Sequence, residues 1–305
     1  MNSSAHVHYN EVLSGVAIEF RPPAHMWGEI FKRFPVVKES DVYAVMDRNA
    51  FEAPQDDRAD GAESNVTRMG WKYDSYQCRE HALHTVITKR MRDNAKNEVE
   101  LEGMKTRLLK QQVHNNIEKA VFGSSGILRT AANNGSSVNG DISNLSTGSP
   151  RLLVQTGIDA VELACGLPAN TIALATNVLR HITRTAEYRD ETKHVANIVN
   201  DDLPTELYGL RVIKVGAQIA TTNKGQSKTP TTRLMGEDVW IGYVNPAESL
   251  GDEMVTYGAC ITADEYADMW YEKNLRGDKL EYGMLYDLKL VARECGYLAT
   301  SVLTA

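Results

Sequence analysis

Ligand-type side chains crowd one short stretch of this 305-residue chain, Cys78-Arg79-Glu80-His81-Ala82-Leu83-His84. Thiol, carboxylate and imidazole are the groups that hold zinc, and a metal held there would activate a bound water. The flanking residues alternate in the manner of a strand. Residues three apart on a strand point to opposite faces, so His81 and His84 would diverge. The order also differs from the H-E-x-x-H of a helical zinc site. The expectation is a set of half-exposed strand residues that bind no metal.

Other candidate chemistry weakens in the same way. Glu98, Glu100 and Glu102 belong to a helical pattern in which residues two apart face away from each other, so a solvated face is expected. Asp201-Asp202 precedes Pro204 and starts a turn. His6, His8, His25, His114, His181 and His194 lack partners nearby in sequence. Gly123-Ser124-Ser125-Gly126 does not match the G-x-S-x-G elbow of serine hydrolases. Neither the P-loop nor the G-x-G-x-x-G pattern occurs, so phosphate cradling has no support. Lys224, Lys228 and Arg233 share a polar loop without interleaved aromatics, which fits a solvated loop or a subunit contact better than nucleic-acid binding. The motifs offer no positive argument for an enzyme. No catalytic, cofactor-binding or metal residue is assigned.

Composition narrows the class. There are 33 basic and 40 acidic residues, for a formal charge of −7, and a free-standing duplex-DNA binder is more often basic. Cys78, Cys165, Cys260 and Cys295 have no short spacing, which suits a reducing compartment. The start, MNSSAHVHYNEVLSG, has neither the basic nor the apolar region of a signal peptide. No run approaches the roughly 20 apolar residues of a spanning helix. A soluble protein made in the cytoplasm is expected.

The elements that would position these residues follow from hydrophobic period and turn chemistry. Pro22-Pro23 and Pro35 bound a short amphipathic helix carrying Trp27, Ile30, Phe31 and Phe34. Residues 41–90 read as strands around a Pro-, Gly- and acid-rich loop tip, Phe51–Asn65, making one long hairpin that needs a neighbour to pack on. Met91, Ala95, Val99, Met104, Leu108, Val113, Ile117 and Val121 mark one helix over 91–122, capped at Asp93 or Asn94 and ended by Gly123. Gly123–Pro150, rich in Gly, Ser and Asn, reads as a linker. Ser149-Pro150 opens a helix that Gly166 and Pro168 close, with Val154, Ile158, Val161 and Cys165 buried. A strand over Thr171–Thr176 and a helix from Asn177 to Tyr188 follow. A turn over Pro204–Tyr208 leads to central strands over Leu210–Thr221 and Asp238–Asn245. Met254–Thr262 reads as strand, Asp264–Lys273 as a short helix, and Tyr282–Ala292 and Tyr297–Leu303 as strands.

This order resembles the major capsid (coat) proteins of tailed phages, which share the Hong Kong 97 type of fold. The strings that carry the likeness are LLVQTGIDAVELACGLPANTIALATNVLRHI, ELYGLRVIKVGAQIA and LEYGMLYDLKLVARECGYLATSVL. The resemblance covers nearly the whole chain. It implies an α+β coat fold with an N-terminal arm over 1–39 and an extended loop over 40–88. It implies a peripheral domain over 89–139 and 251–289, with its spine helix at 91–122, and an axial domain over 140–250 and 290–305. The implied function is a major capsid protein: hexamers and pentamers of the chain close an icosahedral shell around double-stranded DNA, without catalysis or sequence-specific DNA binding. The implied location is the virion, with assembly in the host cytoplasm and no membrane. The short stretch before the arm leads us to expect a separate scaffolding protein, together with a portal. An encapsulin-like nanocompartment shares the architecture, and a soluble α+β enzyme using the Cys78–His84 region is the alternative from another class.

Overall fold

The computed structural model describes residues 25–46, 56–58, 63–64, 71–94, 98–193, 203–216, 218–219, 232–246 and 255–303. Most of the arm, most of the Phe51–Asn65 tip, Ala95, Asp201-Asp202, His6, His8, His194, Lys224 and Lys228 lie outside the described residues.

The arm enters as a single helical turn, Trp27–Ile30, and then becomes strand β1 (Phe31–Pro35). The expected helix therefore stops four residues early. Pairing explains the change, because β1 runs parallel to β12 (Gly258–Glu272) from Phe31↔Gly258 to Pro35↔Thr262. At this edge Phe31 and Phe34 are buried. Two strands follow, β2 (Ser40–Met46) and β3 (Trp71–Gln77), and among the described residues they pair only with each other. Strand β4 (Arg79–Thr88) leaves this ribbon and joins β13 (Gly277–Leu290). The resulting four-stranded sheet has the order β1-β12-β13-β4.

The residues expected to be a helix over Asp264–Lys273 instead continue β12 as far as Glu272, paired with Gly277 of β13, and Lys273 opens a short 3-10 turn. A bulge between Thr262 and Asp264 shifts the register. Nine cross-strand partners, from Asp264↔Leu285 to Glu272↔Gly277, outweigh the weak helical preference of DEYADMWYEK.

Among the described residues the expected helix over 91–122 comes in two pieces. A short one, Lys89–Asp93, is capped by Thr88, whose hydroxyl accepts from Met91 N at 3.3 Å. A long one runs Glu98–Phe122 and packs on β13 and β4. Among the described residues the expected apolar stripe is buried only in its C-terminal half. Met91, Met104 and Leu108 are exposed, whereas Leu109, Val113, Ile117 and Val121 are buried beside Thr106, Lys110, His114 and Glu118. The inward stripe is half polar, so hydrophobicity alone does not reveal it.

The second sheet has six strands in the order β5-β14-β11-β6-β8-β7. These are β5 (Ser136–Asn139), β6 (Thr171–Ala175), β7 (Glu206–Leu207), β8 (Leu210–Val215), β11 (Val239–Gly242) and β14 (Gly296–Thr300). A two-stranded piece, β9 (Gln218–Ile219) with β10 (Thr232–Arg233), forms the root of the polar loop. Gly123–Pro150 is thus more than a linker: β5 pairs parallel to β14, and Leu128 and Ile142 are fully buried. Helix Pro150–Cys165 begins and ends where the sequence says. Ser149 Oγ accepts from Leu152 N, and Gly166 takes φ 76°. The next helix starts at Thr176, not Asn177, and ends at Ile182; Thr183–Thr185 turn before Ala186–Thr192. Tyr208 (φ 51°) and Gly209 (φ 85°) make the two-residue turn from β7 to β8, a turn type that needs positive φ at both positions.

Tyr257 links the sheets. Its ring lies 4.8 Å from Trp240 of β11 and 6.1 Å from Phe31 of β1, both edge-on. Trp240 in turn donates from Nε1 to Asn134 Oδ1 at 3.0 Å, fixing the Gly123–Pro150 stretch.

Helix Pro150–Cys165 meets the sheet at Gly157, where a Cβ would lie 2.6 Å from Ile241 Cδ1 and 2.9 Å from Tyr297 Cδ1. Gly157→Val should therefore cost about 1–3 kcal/mol through overpacking. On the outer side of the same helix, Leu163→Gln should stay within about 0.5 kcal/mol. Urea midpoints of the two variants check this, and equal midpoints would contradict the packing.

Candidate functional site

Strand geometry separates the ligand-type residues of the Cys78 region. Cys78 is buried, its Sγ 3.6 Å from Ile261 O, and burial pushes its thiol up. His81 stacks on Tyr286 at 4.4 Å between centroids. Burial and then the Arg79 charge lower its pKa. His84 sits three positions on, on the other face, in register with Glu281. Glu80 is taken by the Tyr266 hydroxyl. Among the described residues no three His, Cys, Asp or Glu side chains gather as a metal cage. Glu102 pairs with Arg92 at 2.9 Å. Gly123–Gly126 is a tight turn in which Gly126 N donates to Gly123 O. A Cβ on Gly126 would meet Val121 O at 2.5 Å, so the close backbone explains that glycine. Arg233 is exposed on β10.

The geometry concentrates elsewhere, on the polar row of the long helix. Residues at four-residue spacing share a helix face, and Thr106, Lys110, His114 and Glu118 all point inward. Lys110 Nζ lies 2.8 Å from Glu265 Oε1, with side-chain exposures of 4% and 11%. Arg33 of β1 reaches the other oxygen of Glu265 at 2.9 Å, and the Tyr282 hydroxyl donates to Oε1 at 2.8 Å. Burial works to raise the Glu265 pKa. The Lys110 hydrogen bond and the Arg33 and Lys110 charges overcome it and hold the carboxyl at about 2.

The same row anchors the arm. Glu118 accepts from the backbone N–H of Met26 at 3.1 Å and of Trp27 at 3.0 Å. Its burial outweighs those two bonds and raises it to about 7. Trp27 Nε1 donates to His114 Nδ1 at 3.3 Å, and the two rings stack at 5.7 Å. Burial, then the Lys110 charge, push His114 down to about 3, so it stays a neutral acceptor. The arm is thus held by side chains of the long helix and by strand pairing with β12.

The outward surfaces carry apolar groups that a single subunit leaves uncovered. On the ribbon these are Val42 and Tyr73, with Tyr73 68% exposed. Met104 and Leu108 face out from the long helix, and Tyr271 and Leu275 stand at the end of the β12–β13 hairpin. Leu163 is 81% exposed on helix Pro150–Cys165. Scattered singly such residues need no explanation, but here they recur on every projecting element. Sequence reading missed Lys110, Glu118 and Glu265. For Lys110 and Glu118 the signal was the unbroken four-residue spacing of polar residues on one helix face; Glu265, on β12, carried no such signal.

No family model matches the sequence, and no curated protein matches it. The fold does have likenesses among solved structures. A phage-related protein from Bordetella bronchiseptica RB50 is 16% identical, with TM-score 0.73 over 97% of this chain and 98% of that one. The capsid structure of cyanophage P-SCSP1u is 8% identical, with TM-score 0.60 over 92% and 88%. The encapsulin complex from Synechococcus elongatus PCC 7942 is 10% identical, with TM-score 0.55 over 100% and 94%. The chain therefore has the α+β fold found in that phage capsid and in that encapsulin, over most of its length.

Removing the Glu265 carboxylate leaves Lys110 buried without its counter-charge. Glu265→Ala should cost about 3–5 kcal/mol at neutral pH. The pH dependence has a definite sign. The folded carboxyl sits at about 2, below its ordinary 4.5, so the unfolded chain binds the proton more readily. The stabilisation is full above pH 4.5 and is lost as the pH falls through 2. Melting temperature against pH should therefore drop more steeply below pH 4.5 for the parent than for Glu265→Gln; parallel curves would contradict it.

Proposed function

We propose that this chain is a major capsid protein, the self-assembling subunit of the icosahedral head that encloses the double-stranded DNA of a tailed bacteriophage. The observation that carries the reading is the likeness to a phage capsid fold over 92% of this chain, together with apolar side chains left uncovered on each projecting element. In this reading the fold is of the Hong Kong 97 type. The four-stranded sheet with the long helix serves as the peripheral domain, and the six-stranded sheet as the axial domain. The β2–β3 ribbon is the extended loop and lies over an adjacent subunit. The polar loop rooted on β9 and β10 stands near the axis of the capsomer.

Function is then geometric and needs no catalysis. Flat subunits in head-to-tail contact close into rings, and rings of six and five close a shell. A chain of formal charge −7 has little general attraction for packaged DNA, which suits an enclosing wall. A separate scaffolding protein and a portal assist assembly in the host cytoplasm, and the finished protein resides in the virion.

The second reading is an encapsulin-like compartment, favoured by the likeness to the Synechococcus encapsulin over the whole of this chain. Contents separate the two. Particles purified from cells that also express the neighbouring genes should hold DNA if this is a head, and protein cargo if it is a compartment. A compact monomer that forms no particles under either condition would overturn both readings.

Deleting Phe51–Asn65 should abolish or sharply reduce closed particles, while the far-ultraviolet circular dichroism and melting temperature of the subunit remain close to those of the parent. Electron microscopy with size-exclusion chromatography reads the outcome. Normal particles from the deletion would count against a role for the loop in subunit contacts.

A further inference from the structure

Helix Pro150–Cys165 rests on β11 and β14, with Gly157 against Ile241 and Tyr297. Gly157, Val161 and Cys165 follow one another at four-residue spacing, so Cys165 continues the inward face. Beyond it the chain enters β6 at Thr171, which is in register with Gly242, and Gly242 is in register with Gly296. The C-terminal end of the helix therefore lies at the Gly296 end of the sheet. Cys295 immediately precedes that glycine, in the short turn Arg293–Cys295 on which the helix packs. The fold thus brings Cys165 to Cys295, two free cysteines from distant parts of the chain that pack into one apolar cluster. The Cys295 thiol donates a hydrogen bond to the Cys165 sulfur.

The two thiols differ in exposure and in charge. Cys295 is fully buried and Cys165 is half-buried. The hydrogen bond from Cys295 lowers Cys165 to about 7, against burial and the Glu294 charge, and the same bond together with burial raises Cys295. Cys165 is therefore the accessible partner and the one that carries thiolate at neutral pH, which makes it the first nucleophile. Cys78 and Cys260 are of another kind. Both are buried, and burial pushes the Cys78 thiol up and the Cys260 thiol up to about 12.

We propose that Cys165 and Cys295 are an oxidative cross-linking site, which a low-molecular-weight disulfide such as oxidised glutathione converts to a disulfide within one subunit. The Cys165 thiolate attacks one sulfur of the oxidant, the oxidant's S–S bond breaks, and one glutathione thiolate leaves. Cys295 then gives up its proton and attacks Cys165 Sγ, and the second glutathione leaves. The two cysteines lose two protons and two electrons in all, and two glutathione thiols form. The turn that holds Cys295 carries the chain from β13 of the four-stranded sheet to β14 of the six-stranded sheet. The bond therefore fastens the helix to the crossover between the sheets and closes a loop of about 130 residues. The link itself does not depend on the shell reading. Its consequence rests on that reading: assembly in a reducing cytoplasm leaves the crossover unfastened, and oxidation after release fixes it in the finished wall.

Peptide mapping tests the link. The purified full chain is incubated with oxidised glutathione, its remaining thiols are blocked, and the digest is analysed by mass spectrometry without reduction. A peptide joining Cys165 to Cys295 should appear, lighter by two hydrogens than its reduced parts, while Cys78 and Cys260 remain free to be blocked. Oxidation should raise the melting temperature by about 5 °C, and dithiothreitol should reverse the rise. Cys295→Ser places a hydroxyl in the core and is open to misfolding, so Cys165→Ser, at the half-buried position, is the informative variant. Reduced, it should melt close to the reduced parent; oxidised, it should gain neither the peptide nor the rise. Absence of the joined peptide in the parent, pairing with Cys78 or Cys260, linkage between subunits, or oxidised protein that melts at or below the reduced parent would each overturn the proposal. So would a rise that persists in Cys165→Ser. All of this is read on the subunit, so a chain that forms no particles refutes the shell reading and leaves the cross-link to be judged on its own result.

Discussion

The Glu265 carboxylate receives Lys110, Arg33 and the Tyr282 hydroxyl at once, in a place where the lysine side chain is almost wholly out of water. Those groups come from the long helix, the arm strand and β13, while Glu265 itself sits on β12. Burying either charge alone costs several kcal/mol, so the pair tolerates few relative positions of these elements. Four segments distant in sequence are thereby brought to one arrangement. The row continues to Glu118, whose carboxylate takes the two backbone N–H groups that open the arm's helical turn. Charge and hydrogen bonding therefore fix where the arm lies, and the buried Phe31 and Phe34 supply its hydrophobic anchorage.

The two sheets are joined by aromatic packing of a different character. Tyr257 stands between Phe31 and Trp240, and its backbone accepts from Val291 N. Edge-on rings and a backbone bond give a dry, well-packed joint with no charge to satisfy. Gly296 makes room for it, since a Cβ there would meet the Tyr257 ring at 2.5 Å. One joint is polar and selective and the other apolar and tight. Together they hold the two sheets from which the β2–β3 ribbon and the β12–β13 hairpin extend.

Those projections connect structure with the proposed role. A two-stranded ribbon is marginal by itself in water, and this one adds exposed Val42 and Tyr73. A subunit built to fold alone would cover such elements. A subunit built to close a shell leaves them for its neighbours, and burial then becomes part of assembly free energy. The same logic applies to a phage head and to an encapsulin, which is why the fold by itself does not choose between the two contents.

Much of the fold was legible where local chemistry decides the backbone. Ser149-Pro150 and Gly166 bound a helix because a capping hydroxyl, a fixed φ and a left-handed turn each act within a few residues. Strand β11 was legible because it is apolar on both faces, whereas the strand expected over Leu210–Thr221 is β8, which ends at Val215 and exposes Arg211; the order of elements was enough to suggest the coat fold. Three features were decided only in tertiary structure. Asp264–Glu272 became strand because β13 supplies a partner for each of those residues. Ser136–Asn139 became strand because β14 lies beside it. Thr106, Lys110, His114 and Glu118 became an inward face because Glu265 and the arm provide the charges and donors that make their burial tolerable. A sequence records which groups are polar; whether a polar group may be buried depends on partners far along the chain, and those exist only once the chain has folded.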